Sequence, residues 1–164
     1  IWYKRCRSSN ENDKEKIMDI DKLQEELKRD EGCKYEIYLD HIGYKTFGIG
    51  HLCKATDLEN NQDVGTKVSE DRVNECFQED IEKVLDDCTI LYDDFYTLPD
   101  DVQLIIGNMM FNLGRPRLTN FVRMRTAVNN KDYIEASVQM LDSKWAKQVP
   151  NRAERLSERM RNVI

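Results

Sequence analysis

Histidine is scarce in this sequence: His41 and His51 are the only two among 164 residues. The five cysteines (6, 33, 53, 76 and 88) form no CxxC pair, so no zinc-type cluster is expected, nor any metal or other cofactor. Their odd number leaves at least one thiol free or paired between chains. No apolar run approaches the roughly 18 residues that a membrane-spanning helix needs, so no membrane partner is expected. Repeats and low-complexity segments are missing too. The chain opens at Ile1 without an apolar leader stretch, so a signal peptide is expected to have been removed or never present. Excess positive charge is also lacking. With 25 basic and 31 acidic residues the net charge is −6, which argues against nonspecific nucleic-acid binding. Only Arg115 to Arg125 runs the other way, with four arginines and no acid, and a solvated helix face accounts for it. What is there in quantity, 40% hydrophobic and 34% charged residues, suits one globular unit with a sizeable core.

Periodicity divides the chain. Residues 1–16 are polar, without a sustained period after Trp2 and Tyr3, and read as an extension outside the fold. Ile20, Leu23 and Leu27 recur at helical spacing and Gly32 follows, so a short helix should end close to Glu31. From Cys33 the period changes: Tyr35, Ile37 and Leu39 alternate with Lys34, Glu36 and Tyr38 as in a strand. Asp40-His41-Ile42-Gly43 reads as a turn, and Tyr44 to Ile49 as the returning strand. Gly48 and Gly50 around Ile49 suggest a bend or a close backbone approach. A disulfide between Cys33 and Cys53, which bracket this hairpin, is conceivable in an oxidising compartment. Residues 54 to 67 read as irregular.

Helices dominate the rest. Ser69 is a good N-cap, and Val73, Cys76, Phe77, Ile81, Val84, Leu85, Cys88 and Leu91 then keep one apolar face for about six turns. Cys76 and Cys88 on that stripe read as reduced core thiols. A second helix starts near Pro99 and ends at Gly114, with Val102, Ile105, Ile106, Met109, Met110 and Leu113 buried. Further helices are expected over Leu118 to Val128, over Tyr133 to Leu141, and from Pro150 onward. The fold class is therefore α+β, with a small hairpin lobe at 17–68, a connecting helix at 69–92 and a helical lobe at 93–164.

Glu31 ends a helix, Asp40 ends the next strand, and Thr46 lies on the strand that returns. Two carboxyls and a hydroxyl around a hairpin suit glycoside hydrolysis, in which one acid protonates the leaving oxygen and the other activates water or stabilises positive charge. Among 31 acidic residues such a pair is common, and solvated surface acids are the default. Asp80 is more informative. It sits on the apolar stripe beside Phe77, Ile81 and Val84, where a carboxylate is costly unless paired. His51 is the natural partner, in a structural ion pair; a metal site would need further ligands.

The run Asp30-Glu31-Gly32, then Ile37-Tyr38-Leu39-Asp40, then Gly43 to Leu52 with Gly48-Ile49-Gly50-His51, resembles the catalytic segment of T-even-type phage lysozymes. Phe77-Gln78-Glu79-Asp80, Asn108 to Gly114, Ser143-Lys144-Trp145 and Pro150-Asn151-Arg152-Ala153 resemble later family segments in the same order. The likeness covers about residues 17 to 164. It implies a lysozyme-like fold and an inverting hydrolysis of the bond between N-acetylmuramic acid and N-acetylglucosamine in bacterial peptidoglycan. Glu31 would then be the general acid, Asp40 the second carboxylate, and Thr46 a holder of the attacking water. Leu52, Phe111 and Gln139 would line the sugar cleft. Arg152 would pair with Glu31, and His51 with Asp80. The implied protein is a monomer, secreted or released onto bacterial walls. Departures are Phe121, standing where the family has a small serine, a shorter segment between Leu52 and Ser69, and an acidic rather than basic charge. A noncatalytic wall-binding module on the same fold, and a glycanase acting on chitin or by lytic transfer, are the competing readings.

Overall fold

A computed structural model of the protein describes residues 18–164. The polar extension at 1–16, with Trp2, Tyr3 and Cys6, lies outside them. Helix α1 (Ile20–Glu31) opens at Asp19, whose carboxylate accepts the Lys22 N–H, and buries Leu23 and Leu27. It stops because Gly32 takes φ 76°, a left-handed geometry that favours glycine. Glu31 is thereby the last helical residue.

Three antiparallel strands follow, β1 (Lys34–Leu39), β2 (Lys45–Gly48) and β3 (His51–Leu52), in that spatial order. The third strand is a correction to the sequence reading. Gly48 and Gly50 both sit at φ 61° and reverse the chain, so the expected strand to Ile49 ends early and turns back on itself. The alternation in β1 also does not become alternating burial. Ile37 is buried, but Tyr35 and Leu39 are exposed. The ladder to β2 slips between Lys34 and Tyr38, and the strand's middle bonds instead to residues 65–68, Ile37 N–H to Thr66 O at 2.9 Å and Val68 N–H to Tyr35 O at 3.0 Å.

The segment expected to be irregular contains a 3₁₀ turn, Leu58–Asn61, which follows the buried Asp57 and includes the buried Glu59. Helix α2 (Glu70–Leu91) opens at Ser69, which caps the Arg72 N–H. It buries Cys76 and Cys88 as free thiols, and burial pushes the Cys76 thiol up to about 12. The Cys33–Cys53 bridge that the sequence left open is not formed; both thiols are free. Cys33 precedes β1, whereas the Cys53 N–H bonds to Lys45, which lies opposite Leu39 at the other end of β1. Six residues of strand span roughly 20 Å, far beyond disulfide reach.

Helix α3 (Asp100–Leu113) is almost wholly buried and ends at Gly114. The single helix expected over Leu118 to Val128 is two, α4 (Arg115–Leu118) and α5 (Val122–Asn129). The break falls at Phe121, whose ring packs edge-on against Trp145, 6.3 Å between centroids. Helices α6 (Tyr133–Leu141), α7 (Lys144–Gln148) and α8 (Pro150–Arg161) complete the chain. The short α7, capped by Ser143, was not anticipated. Ile37 and Phe47 of the sheet join Phe77, Ile81, Ile105, Met109 and Leu156 in one hydrophobic core, so the small sheet and the helices form one α+β unit. Among the described residues no helix is long and apolar enough to cross a membrane.

Candidate active site

The register of the sheet sorts its side chains onto two faces. Tyr38 lies opposite Thr46, and Thr46 opposite Leu52, so these three form one row across the strands. Asp40, two residues beyond Tyr38, continues the same face. Phe47 and His51 pair in the next row and point the other way, into the core. One face thus belongs to the site and the other to the scaffold.

Asp40 is held by its own turn. Its Oδ1 accepts the N–H groups of Ile42, Gly43 and Tyr44 at 2.9, 2.8 and 2.9 Å. These bonds, led by Tyr44, stabilise the charged form and hold the carboxyl below the usual aspartate range. Among the described residues nothing bonds Oδ2, so one oxygen is left for a ligand. Thr46 is buried, and its hydroxyl donates to the Tyr44 carbonyl at 3.1 Å. With its proton committed there, Thr46 Oγ1 can only accept from anything placed beside it.

Glu31 is held from across the molecule. Arg152 of α8 reaches its Oε1 at 2.6 Å. Arg152 is itself buried and donates through Nε to Asn108 Oδ1 at 2.8 Å. Asn108 passes the contact on to Asp30 Oδ2 at 2.9 Å, and Arg155 closes the network on Asp30 Oδ1 at 2.6 Å. A chain of charge-assisted bonds therefore fixes the end of α1 against α3 and α8. Gly50 makes room on the other side: a Cβ there would stand 3.4 Å from Glu31 Oε2.

His51 sits between two carboxylates, Nδ1 2.6 Å from Asp80 and Nε2 2.9 Å from Asp57. Burial opposes its charge, but the bonds to Asp80 and Asp57 outweigh it and raise its pKa. Asp57 also accepts the Lys54 N–H and an Arg72 contact, and its pKa is lowered against the cost of burial. Both ring nitrogens face acids and no third ligand is near; the described residues hold no cluster suited to a metal ion.

Leu52 is 52% exposed at the end of the site row. Phe111, half-buried on α3, packs against Phe77 with centroids 6.2 Å apart. Gln139 stands elsewhere, donating to Glu135 at 2.7 Å and lining a pocket of about 540 Å³ with Phe121 and Trp145. Neither Glu31 nor Asp40 lines that pocket. The structure thus brings Glu31 to Arg152, His51 to Asp80, and Thr46 into a row with Leu52, but does not bring Gln139 to any of them.

Sequence reasoning missed Asn108, Asp30, Arg155, Asp57 and Tyr38. Asn108 carried a readable signal. Its amide is fully buried between Ile105, Ile106, Met109 and Met110, where an unpaired polar group is costly. Asp57 had no such signal, because its burial comes from the 3₁₀ turn and from Arg72.

A family model described as phage lysozyme matches residues 28–162, from the last turn of α1 to the end of α8. The chain is 30% identical over 156 residues to probable T4-type lysozyme 1 of Dictyostelium discoideum, covering 84% of this chain and 92% of that protein. It is 31% identical over 144 residues to the peptidoglycan hydrolase gp36 of Pseudomonas phage phiKMV, covering 87% of this chain and 15% of that protein. The pre-baseplate central spike protein Gp5 of Enterobacteria phage T4 is 26% identical over 153 residues, or 82% of this chain and 27% of that one. Matched over most of its length, with the sheet and helices laid out as above, the chain belongs to the phage lysozyme family.

Proposed function

We propose that the protein is a muramidase, cutting the β-1,4 bond between N-acetylmuramic acid and N-acetylglucosamine in bacterial peptidoglycan with inversion. The observation that carries this reading is the contrast between the carboxyls. Glu31 Oε1 is occupied by Arg152, while Asp40 is charged, anchored through Oδ1 and open at Oδ2. As the acid of the reaction, Glu31 gives a proton from Oε2, the oxygen beside Gly50, to the glycosidic oxygen as the bond to the anomeric carbon breaks. The leaving sugar keeps the bonding electron pair and that proton. A water on the opposite side gives one hydrogen bond to Thr46 Oγ1 and one to Asp40 Oδ2, which directs its lone pair at the anomeric carbon. Asp40 then takes the water's proton as the new C–O bond forms. Leu52 and Phe111 line the cleft, and Gln139 contacts the glycan farther along it.

The catalytic unit is residues 17–164: a hairpin lobe at 17–68, a linking helix at 69–92 and a helical lobe at 93–164. One chain supplies every group named, so it acts as a monomer, on walls it meets after secretion or release. The relatives' printed names and the intact Glu31, Asp40 and Thr46 support catalysis over mere wall binding.

Turbidity of a bacterial wall suspension tests the proposal. The wild-type protein should clear it, releasing reducing sugar ends and no anhydro-sugars, and Glu31→Gln should not. Failure of the wild type to clear walls favours a binding module. Clearing by Glu31→Gln rejects the acid assignment, and cleavage of chitin but not peptidoglycan reassigns the substrate.

A further inference from the structure

Tyr38 stands in the row that holds Thr46 and Leu52, on the face that Asp40 continues. Directly opposed side chains on such a face lie about 5 Å apart at Cβ, so Tyr38 leaves the sheet beside Thr46. Its ring is braced by Lys34, whose ammonium lies 4.1 Å from the ring centroid. Burial raises its pKa, and the charges of Glu31 and then Asp40 raise it further, so one phenol senses both carboxyls and stays protonated. Tyr38 is half-buried, and among the described residues no hydrogen bond occupies its hydroxyl. The site therefore holds a neutral donor on the face shared with Thr46 and Asp40, unspent among the described residues.

We propose that Tyr38 is a further substrate-contacting residue of the site, its O–H donating a hydrogen bond to an oxygen of the sugar bound between Glu31 and Asp40. The inference rests on the glycan-hydrolase reading above. Both carboxyl groups act on the glycosidic bond and the water, and neither is free to hold the sugar ring. Tyr38 is the neutral group placed to hold it, and a donor suits sugar hydroxyl, ring and acetamido oxygens alike.

Tyr38→Phe keeps the ring and its contact with Lys34 and removes only the donor. On defined peptidoglycan it should lower kcat/KM about tenfold, the usual scale for one lost neutral hydrogen bond to substrate, with an unchanged melting temperature. Ring-carbon NMR reads the contact directly and needs no Tyr38 variant. In Glu31→Gln protein, saturation with a soluble peptidoglycan oligomer should shift the Tyr38 Cζ resonance. A wild-type rate in Tyr38→Phe, or an unmoved Cζ resonance at saturation, overturns the inference. If wild-type protein cleaves walls while both of these results hold, only the role of Tyr38 fails. If wild-type protein cleaves no glycan, the function reading and this inference fall together.

Discussion

Asp40 and Glu31 end consecutive elements of one chain, yet they are held in opposite ways. Among the described residues, every hydrogen bond to the Asp40 carboxylate comes from a backbone N–H within four residues, so its setting is made by one turn. Glu31 is bound by Arg152, 121 residues away, through a network that needs α1, α3 and α8 docked together. The charged partner in the proposed reaction is thus set locally, and the proton donor is set by the whole fold. Damage to the distant core should therefore disable Glu31 first and leave the Asp40 turn intact.

The sharpest way to break that contrast is Arg152→Met. Removing a buried cation leaves Glu31 Oε1 and Asn108 Oδ1 without their donor, and breaking such pairs costs about 3–5 kcal/mol. Urea unfolding should show that loss, and wall clearing should vanish with it. Next comes the anchor that joins the sheet to α2. His51 has a pKa raised above its ordinary 6.5, so its contribution is full below about pH 6.5 and is lost as pH rises through the folded-state value. Unfolding free energies measured from about pH 6 to about pH 9 should fall. Asp57→Asn should remove about 1.5–3 kcal/mol at the acid end and flatten the slope; an unchanged slope would mean that Asp57 does not hold the proton on His51.

Gly50→Ala sharpens the comparison from the Glu31 side. An L side chain at φ 61° costs about 1–2 kcal/mol, and the backbone shift that relieves it moves a methyl in contact with Glu31 Oε2. Activity should drop more than stability does. Asp40→Asn should have the smallest effect on folding. The amide oxygen can accept the same three N–H groups, so the melting temperature should stay close to wild type while catalysis is lost. Asp40→Ala, which abandons all three, should melt earlier than Asp40→Asn; equal melting would show that the turn does not depend on them.

The same contrast explains what could be read from the sequence. Local signals were legible: Gly32 stopping α1 at Glu31, the Asp40 turn, Ser69 capping α2, Gly114 ending α3. Asp80 was legible as well, because a carboxylate among Phe77, Ile81 and Val84 demands a cation. What escaped depends on tertiary pairing. The strand read from Tyr44 to Ile49 is β2, and what escaped is the short β3 beyond the bend, where Gly48 and Gly50 both turn left-handed and Gly48 backs onto Val73 of α2. The helical stretch read around Leu118 to Val128 is interrupted where Phe121 meets Trp145. The network of Asn108, Asp30 and Arg155 around Glu31 was hidden because its members come from three distant segments. Asp57 was hidden for the same reason.

The central claim is that Glu31 acts as the acid while Asp40 works through water rather than by attacking the sugar. Proton NMR of the first products from defined peptidoglycan tests it most directly, before the new reducing end mutarotates. Inversion at the β-1,4 bond predicts that the α-anomer forms first, and that neither Glu31→Gln nor Asp40→Asn releases it at a comparable rate. A first-formed β-anomer would contradict the account and make Asp40 a nucleophile.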